Sequence, residues 1–414
     1  MALGKYAVDY EQRVDYPRLR AERLQRAKDQ IDKDGLGALV TWDEANIRYL
    51  TGYYTTTPIR YLEAHYTFVA RNGEPHLVGG NDQEGLIKRM PWMDGRIHAP
   101  ASLPKMAAAT PDDPVIQKTV DQIARLMADY GVAKEPLGID GTTLSYLNAE
   151  AFKKRGIEVV YAKPTMDAAR VIKTKDEIEL MRITCANSEK AFAAIVDAIR
   201  PGVRECDLVG IGIKALYEEG DDHTEDLVVC SGFNTNPYGW SFTDKPIQVG
   251  DLIYIDVDGA SYQGYKSCVY RTFCCGKATE RQKEVYEECR AMLYDALDTV
   301  KDGSTDWELL ERWPDTPEYW GHKTWGEVGP YAIGHGLGLT LHDRPFFNQM
   351  QKLAGVPEQK FREGMVLAIE TYAGHKGEAF GVRLEENILV TKDGYERLSL
   401  WPIDELMECW LPYR

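Results

Sequence analysis

Residues 255–273 read IDVDGASYQGYKSCVYRTF, and the fold of the second half of the chain turns on them. An apolar run, LIYIDVDG, leads in, and CVYRTFCCG leads out, so the stretch reads as two β-strands joined by a hairpin. Side chains alternate along a strand, which puts Asp256 and Asp258 on one face. Two carboxylates on one face of an apolar strand repel each other, and a divalent cation relieves that repulsion. The acidic face of an exposed edge strand gives the same pattern, so the pair alone decides nothing. Ten residues after Asp258, where a third acid would extend the set, stands Cys268.

Three further segments place chemistry-bearing residues in apolar surroundings. In AIGHGLGLTLHDRPFF, His335 lies between glycines, and His342 and Asp343 follow it. A glycine-rich turn around a satisfied core histidine is the alternative there. In GMVLAIETYAG, Glu370 ends a hydrophobic strand, where a buried carboxylate is costly without a partner. In GVRLEENILVT, Arg383, Glu385 and Glu386 interrupt another apolar strand, with 383 and 385 on one face; a surface ladder of charges would look similar. Taken together, carboxylates and one imidazole at strand ends suit a divalent metal such as Mn, Fe, Co or Zn.

The 414 residues suffice for two domains with real cores. A net charge of −16 argues against a nucleic-acid partner, which would need a basic footprint, and is compatible with a small cationic substrate. No apolar run of about 18 residues is present, so no membrane-spanning helix is expected. The opening MALGKYAVDYEQRVDYPRLR lacks the apolar core of a signal peptide. The 8 cysteines form no C-x-x-C pair, which makes a zinc ribbon or a disulfide scaffold an unlikely design and a reduced, cytoplasmic setting the expectation.

Helical and strand patterns alternate through the first part. PRLRAERLQRAKDQIDKDGL is predicted helical, with Leu19, Leu24, Ala27 and Ile31 near one face. GALVTW and HYTFVA read as strands, RNGEP as a hairpin turn before HLVGG, and helices are expected near 115–131 and 144–155. The expectation is an α/β domain over 1–168. Thr174 followed by Glu177 signals a helix start, and Pro201-Gly202 its stop. From there the chain is strand-rich with one long helix near 278–301, so residues 169–414 are expected to form an α+β domain, a curved antiparallel sheet with helices on one side.

The segment from about 170 to 400 resembles the pita-bread metallopeptidases, which include methionine aminopeptidase, aminopeptidase P, prolidase and creatinase. GY…RTF, GHGLGL…HD, EGMVLAIE, GVRLEENILVT and the helix after RVIKTKDEIELMR carry the resemblance. NIRYLTGY resembles the creatinase and prolidase N-terminal domain. The resemblance implies a metal set of Asp256, Asp258, Cys268, His335, Glu370 and Glu385, holding one or two ions, and a homodimer. The chain also departs from the peptidases. Val257 aligns with their first Asp and Cys268 with the bridging Asp, and a further histidine is missing, with Trp240 near its place. A thiolate is softer than a carboxylate and favours zinc or iron over manganese.

The displaced D-x-D, the stretch TNPYGW and the His335–Glu370–Glu385 spacing are similar to the dimethylsulfoniopropionate lyases of this fold. That family's catalytic Asp would fall at Leu341, leaving His342 or Asp343, and then Tyr331, as candidate bases. The likeness implies β-elimination from a small zwitterionic substrate, releasing dimethyl sulfide and acrylate. Tyr238, Trp240, Tyr265 and Tyr372 would receive the sulfonium on aromatic faces, though any of them can equally be a core or interface aromatic. Arg383 is grouped with these substrate-binding candidates, and it shares a face with Glu385, which it can orient. The alternatives are a Xaa-Pro dipeptidase, a creatinase- or ectoine-hydrolase-like enzyme acting on C–N bonds, and a binding module without catalysis.

Overall fold

A computed structural model describes residues 13–54, 65–79, 83–100, 110–141, 144–328 and 331–411. The chain divides into two units, Met1–Arg170 and Val171–Arg414.

The first unit is α/β. Its six-stranded sheet has the order β4-β3-β2-β1-β5-β6, with β1 at Ala38–Thr41, β2 at Tyr66–Ala70, β3 at His76–Val78, β4 at Ile97–His98, β5 at Leu137–Asp140 and β6 at Val159–Tyr161. The RNGEP turn joins β2 and β3 as an antiparallel pair, Tyr66 opposite Val78. Strands β5 and β6 are parallel, so the chain must cross over between them, and the helix Leu144–Lys154 makes that crossing. The helix Pro114–Asp129 repeats apolar residues at helical spacing and buries Ile116, Val120, Ile123 and Met127 in one core with Val40 and Phe68. In the first helix, Tyr16–Lys33, the buried stripe is Leu19, Arg23, Ala27 and Ile31. Arg23 takes the inward place expected for Leu24, because its guanidinium reaches the Arg48 carbonyl at 3.3 Å.

The second unit is α+β. Its helix Lys175–Ala198 begins with the capping box predicted at Thr174 and Glu177. A helix at Glu205–Glu218 was not legible in the sequence, since Gly210 and Gly212 lower its helical propensity. The glycine has a packing reason: a Cβ at Gly212 would lie 2.6 Å from Leu227 and 2.8 Å from Ile195. Two sheets follow. One has the order β15-β9-β8-β7, with β7 at Val228–Ser231, β8 at Leu252–Tyr262, β9 at Tyr265–Cys275 and β15 at Met407–Cys409. The other has the order β11-β10-β12-β13-β14, with β10 at Ile333–Gly336, β11 at Asp343–Phe347, β12 at Val366–Ala373, β13 at Val382–Val390 and β14 at Tyr395–Arg397. The single curved sheet expected from the sequence is thus two sheets, linked where Thr272 of β9 exchanges hydrogen bonds with the Arg383 backbone of β13.

The two-residue period of the strands sorts side chains between the two faces. Ile253, Ile255 and Val257 of β8 pack with Phe192, Ile195, Leu208 and Leu216 of the helices. Leu367 and Ile369 of β12 and Leu384 and Ile388 of β13 pack with Val285, Cys289 and Leu293 of the helix Glu280–Leu297. The alternate residues, Asp256, Asp258, Glu370 and Glu385, are therefore turned to the other faces. No helix among the described residues is long and apolar enough to cross a membrane. All eight cysteines are free.

Candidate metal centre

Register brings the acids together within each sheet. On β8 and β9, Asp256 faces Tyr270 and Asp258 faces Cys268. On β12 and β13, Glu370 faces Glu385, and β10 adds His335 opposite Ala368, two residues from Glu370. A β-bulge between Asp258 and Ala260 shifts the hairpin register, with Gly259 at φ +79°. Such a bulge re-aims the side chains beside it. Cys268 Sγ lies 3.8 Å from Asp256 Oδ2 and 3.4 Å from Asp258 Oδ1. His335 Nε2 lies 3.9 Å from both Glu370 Oε1 and Glu385 Oε1. Asp256, Cys268, His335, Glu370 and Glu385 are all buried, and Asp258 is half-buried.

The donor set fits a divalent cation. Cys268, His335 and Glu385 offer ligand atoms within 4.8 Å of one another, and so do Asp256, Asp258 and Cys268. His335 Nε2 and Glu385 Oε1 are buried without a hydrogen-bond partner, a costly state for a ligand set that binds nothing. His335 Nδ1 is 3.0 Å from the Gly336 carbonyl, which can only accept. The proton therefore sits on Nδ1, and the Nε2 lone pair faces the acids. Without a cation, burial and then the Asp258 and Glu370 charges push Asp256 well above the usual carboxylate range. Burial and the Glu370 and Asp256 charges do the same to Glu385. Asp258 is pushed up to about 7, chiefly by burial. Burial and the neighbouring Asp256 and Asp258 raise the Cys268 thiol. Burial lowers His335 to about 3, which keeps the imidazole neutral.

The structure separates the other candidates. His342 is exposed and sets its ring edge-on to His335, with centroids 4.5 Å apart, so it lies beside the centre. Asp343 is buried, and its carboxylate pairs with buried Lys173 at 3.6 Å. It is an ion-pair partner rather than an available base. Tyr331 is buried against Tyr372, with ring centroids 4.4 Å apart, and its carbonyl accepts from Arg383 at 2.6 Å. Arg383 is itself buried, bonded to Glu370 Oε2, with its guanidinium 4.4 Å from the Tyr238 ring centroid. It thus positions Glu370, not Glu385, and the Tyr238 face proposed for a substrate cation already carries Arg383. Tyr372 donates its hydroxyl to the Thr235 carbonyl at 2.8 Å. Tyr265 is on the opposite face of β9 from Cys268 and donates to Glu177 at 2.9 Å. Trp240 is 65% exposed and edge-on to Tyr238, the one aromatic of the four that keeps a largely free face.

Three supporting residues were not singled out from the sequence. Tyr270 bonds Asp256 and meets the Tyr238 hydroxyl at 2.8 Å; lying two residues after Cys268, it shares that residue's face by strand period alone. Asn387 accepts from the Cys268 N–H at 3.2 Å and donates to the Cys268 carbonyl. Its signal was a polar residue two beyond Glu385 in an apolar strand. Glu205 accepts from Ser231 and Thr243, through backbone and hydroxyl both, and from Asn234. Nothing in its local sequence announces that role, because its partners lie 26 to 38 residues away.

Comparison with known proteins agrees with this architecture. Residues 23–172 match the creatinase/prolidase N-terminal domain. The Xaa-Pro dipeptidase of Pyrococcus furiosus is 29% identical over 91% of this chain and 97% of its own. The solved prolidase of the same organism superposes with a TM-score of 0.70 at 26% identity, covering 91% of this chain and 99% of that one. The dimethylsulfoniopropionate lyase of Roseovarius nubinhibens is 25% identical over 98% of this chain and 91% of its own. Residues 179–392, the span that carries every residue of the acidic cluster, match metallopeptidase family M24, and the chain belongs to that family.

Proposed function

We propose that this protein is a metal-dependent hydrolase of a small amide, of the Xaa-Pro dipeptidase kind. The observation that carries the reading is the buried His335–Glu385 pair of unpartnered ligand atoms beside Glu370, Asp256, Asp258 and Cys268. Likeness to a Xaa-Pro dipeptidase over nearly the full length of both chains supports it. These six residues would hold the metal. A divalent cation supplies Lewis-acid polarisation of the scissile carbonyl and makes water acidic enough to attack at neutral pH.

The chain's own groups do the remaining work. Arg383 holds Glu370 Oε2, leaving Oε1 turned to His335. Glu370 is thereby placed to take a proton from the attacking water and pass it to the leaving nitrogen. Tyr270 N–H holds Glu385 Oε2 at 3.1 Å, which fixes Oε1 toward the same space. His342, exposed beside His335, is the solvent-side group for proton exchange. The substrate is a small molecule, and by likeness to creatinase-type relatives the enzyme is a homodimer, which analytical ultracentrifugation checks.

Proline release from Xaa-Pro dipeptides, after loading with Zn, Co, Mn or Fe, tests the reading. Release that disappears in Glu370→Gln supports it, and no release from metal-replete protein sinks it. A second reading, the carbon–sulfur lyase, is favoured by two observations: the Asp256-x-Asp258 pair, which faces Tyr270 and Cys268, and the likeness to a dimethylsulfoniopropionate lyase over 98% of this chain. Headspace detection of dimethyl sulfide from dimethylsulfoniopropionate separates the two.

A further inference from the structure

We propose that Cys268 makes the centre asymmetric: a Cys268–His335–Glu385 site takes one thiophilic ion tightly, and Asp256 and Asp258 share only the same sulfur and take a second ion weakly. The inference rests on the metal-dependent reading and goes beyond it to the identity and order of the ions. Two ligand groups are present, and Cys268 Sγ is the one atom source common to both. A carboxylate at this position could give one oxygen to each of two ions. A single sulfur can only bridge, offering both ions the same atom, so the first ion to bind weakens what the sulfur gives the second.

The chemistry of the two groups differs. Thiolate, imidazole and carboxylate together suit Zn(II), Co(II) or Fe(II), whereas Asp256 and Asp258 add only hard oxygens. The imidazole is neutral and oriented, since Nδ1 is committed to the Gly336 carbonyl. The sulfur is also held in place. Asn387 grips the Cys268 backbone on both its N–H and its carbonyl, and Ser399 Oγ accepts the Asn387 N–H at 2.9 Å. Supports of this kind orient a ligand and tune the affinity of the site. Binding releases the thiol proton to solvent and forms the metal–sulfur bond, with no change of oxidation state.

The test is anaerobic titration of the metal-free, full-length protein with Co(II), followed by near-ultraviolet absorption. A sulfur-to-cobalt charge-transfer band should grow over the first equivalent and not over the second. Cys268→Ser should abolish the band and weaken Zn(II), measured against a chromophoric chelator, by at least the roughly 10- to 100-fold that loss of an outer-shell partner costs. Cys268→Asp should also lose the band and move the preference from Zn(II) toward Mn(II). Cobalt bound without the band, or a band that survives in Cys268→Ser, overturns the proposal. Where the serine variant does not fold, the spectrum of the unaltered protein decides alone. Failure to bind Co(II), Zn(II) or Mn(II) at all overturns the metal-dependent function as well, so the two failures are distinct.

Discussion

Arg383 and Glu370 form a buried ion pair, their side chains 1% and 4% exposed, and the guanidinium also reaches the Tyr331 carbonyl. Burial opposes the charge on Arg383, but Glu370 and the Tyr238 and Tyr270 rings outweigh that and hold it protonated. Removing one member of such a pair leaves the other buried and uncompensated, at a cost of about 3–5 kcal/mol. Arg383→Ala should therefore lose that much in urea unfolding of the metal-free protein. Adding Glu370→Gln should restore part of it, because the stranded charge is gone. A loss below about 1 kcal/mol in the single variant would mean that the pair is not what holds Glu370.

The Glu205 carboxylate organises the segment that carries Tyr238 and Trp240. Its oxygens accept the Ser231 N–H at 2.7 Å and the Thr243 N–H at 2.8 Å, with the two hydroxyls and Asn234 completing the set. Glu205→Ala leaves the buried Ser231 donors unpaired, each costing about 1–3 kcal/mol, while exposed Thr243 turns to water. Hydrogen exchange should accelerate first at Ser231 and Thr243 and spread through 231–243, with the Ala38–Thr41 strand unaffected. Unchanged exchange at those two amides would refute this role.

Legibility in the sequence followed the range of the interactions. Strand period and apolar flanks placed Asp256, Asp258, Glu370 and Glu385 on coherent faces, and the Thr174–Glu177 capping box marked the helix start. Those are contacts between near neighbours. What the sequence did not show depends on distant partners. Asp343 is next to His342 in sequence, yet its carboxylate goes to Lys173. Arg383 shares a face with Glu385, yet its bond crosses to Glu370 on the neighbouring strand. The tyrosines near the motifs looked available for a cation, but Tyr265 and Tyr372 have their hydroxyls committed to Glu177 and Thr235. The bulge after Asp258 likewise shows only in the strand register.

The N-terminal unit has its own acid-sensitive element. His76 Nδ1 meets His98 Nε2 at 2.9 Å, and His76 Nε2 meets the Tyr130 hydroxyl at 2.7 Å. Burial, then the facing His98 and Arg96, lower His76 to about 4, with Asp129 opposing. A base lowered on folding binds fewer protons in the native state, so its contribution is complete above the unfolded value near 6.5 and is lost as pH falls toward 4. After allowance for its partial exposure, the loss is on the order of 1–2 kcal/mol. His76→Phe should flatten the fall in melting temperature between pH 6.5 and 4. An equally steep fall in the variant would place the acid sensitivity elsewhere.

Chelation should separate the ligand set from a merely acidic fold. An ion that binds only the native state stabilises it by RT ln(1 + [L]/Kd), about 3–4 kcal/mol at 100 to 1,000 times Kd. In the second unit the ion would also relieve the mutual repulsion of Asp256, Asp258 and Glu385, which burial makes severe. Exhaustive chelation should therefore lower the melting temperature, and one equivalent of Zn(II) should restore most of the loss. In His335→Ala the same chelation should have little effect, because the site has already lost its imidazole. A chelation effect of full size in His335→Ala would show that the stabilising ion sits away from this cluster.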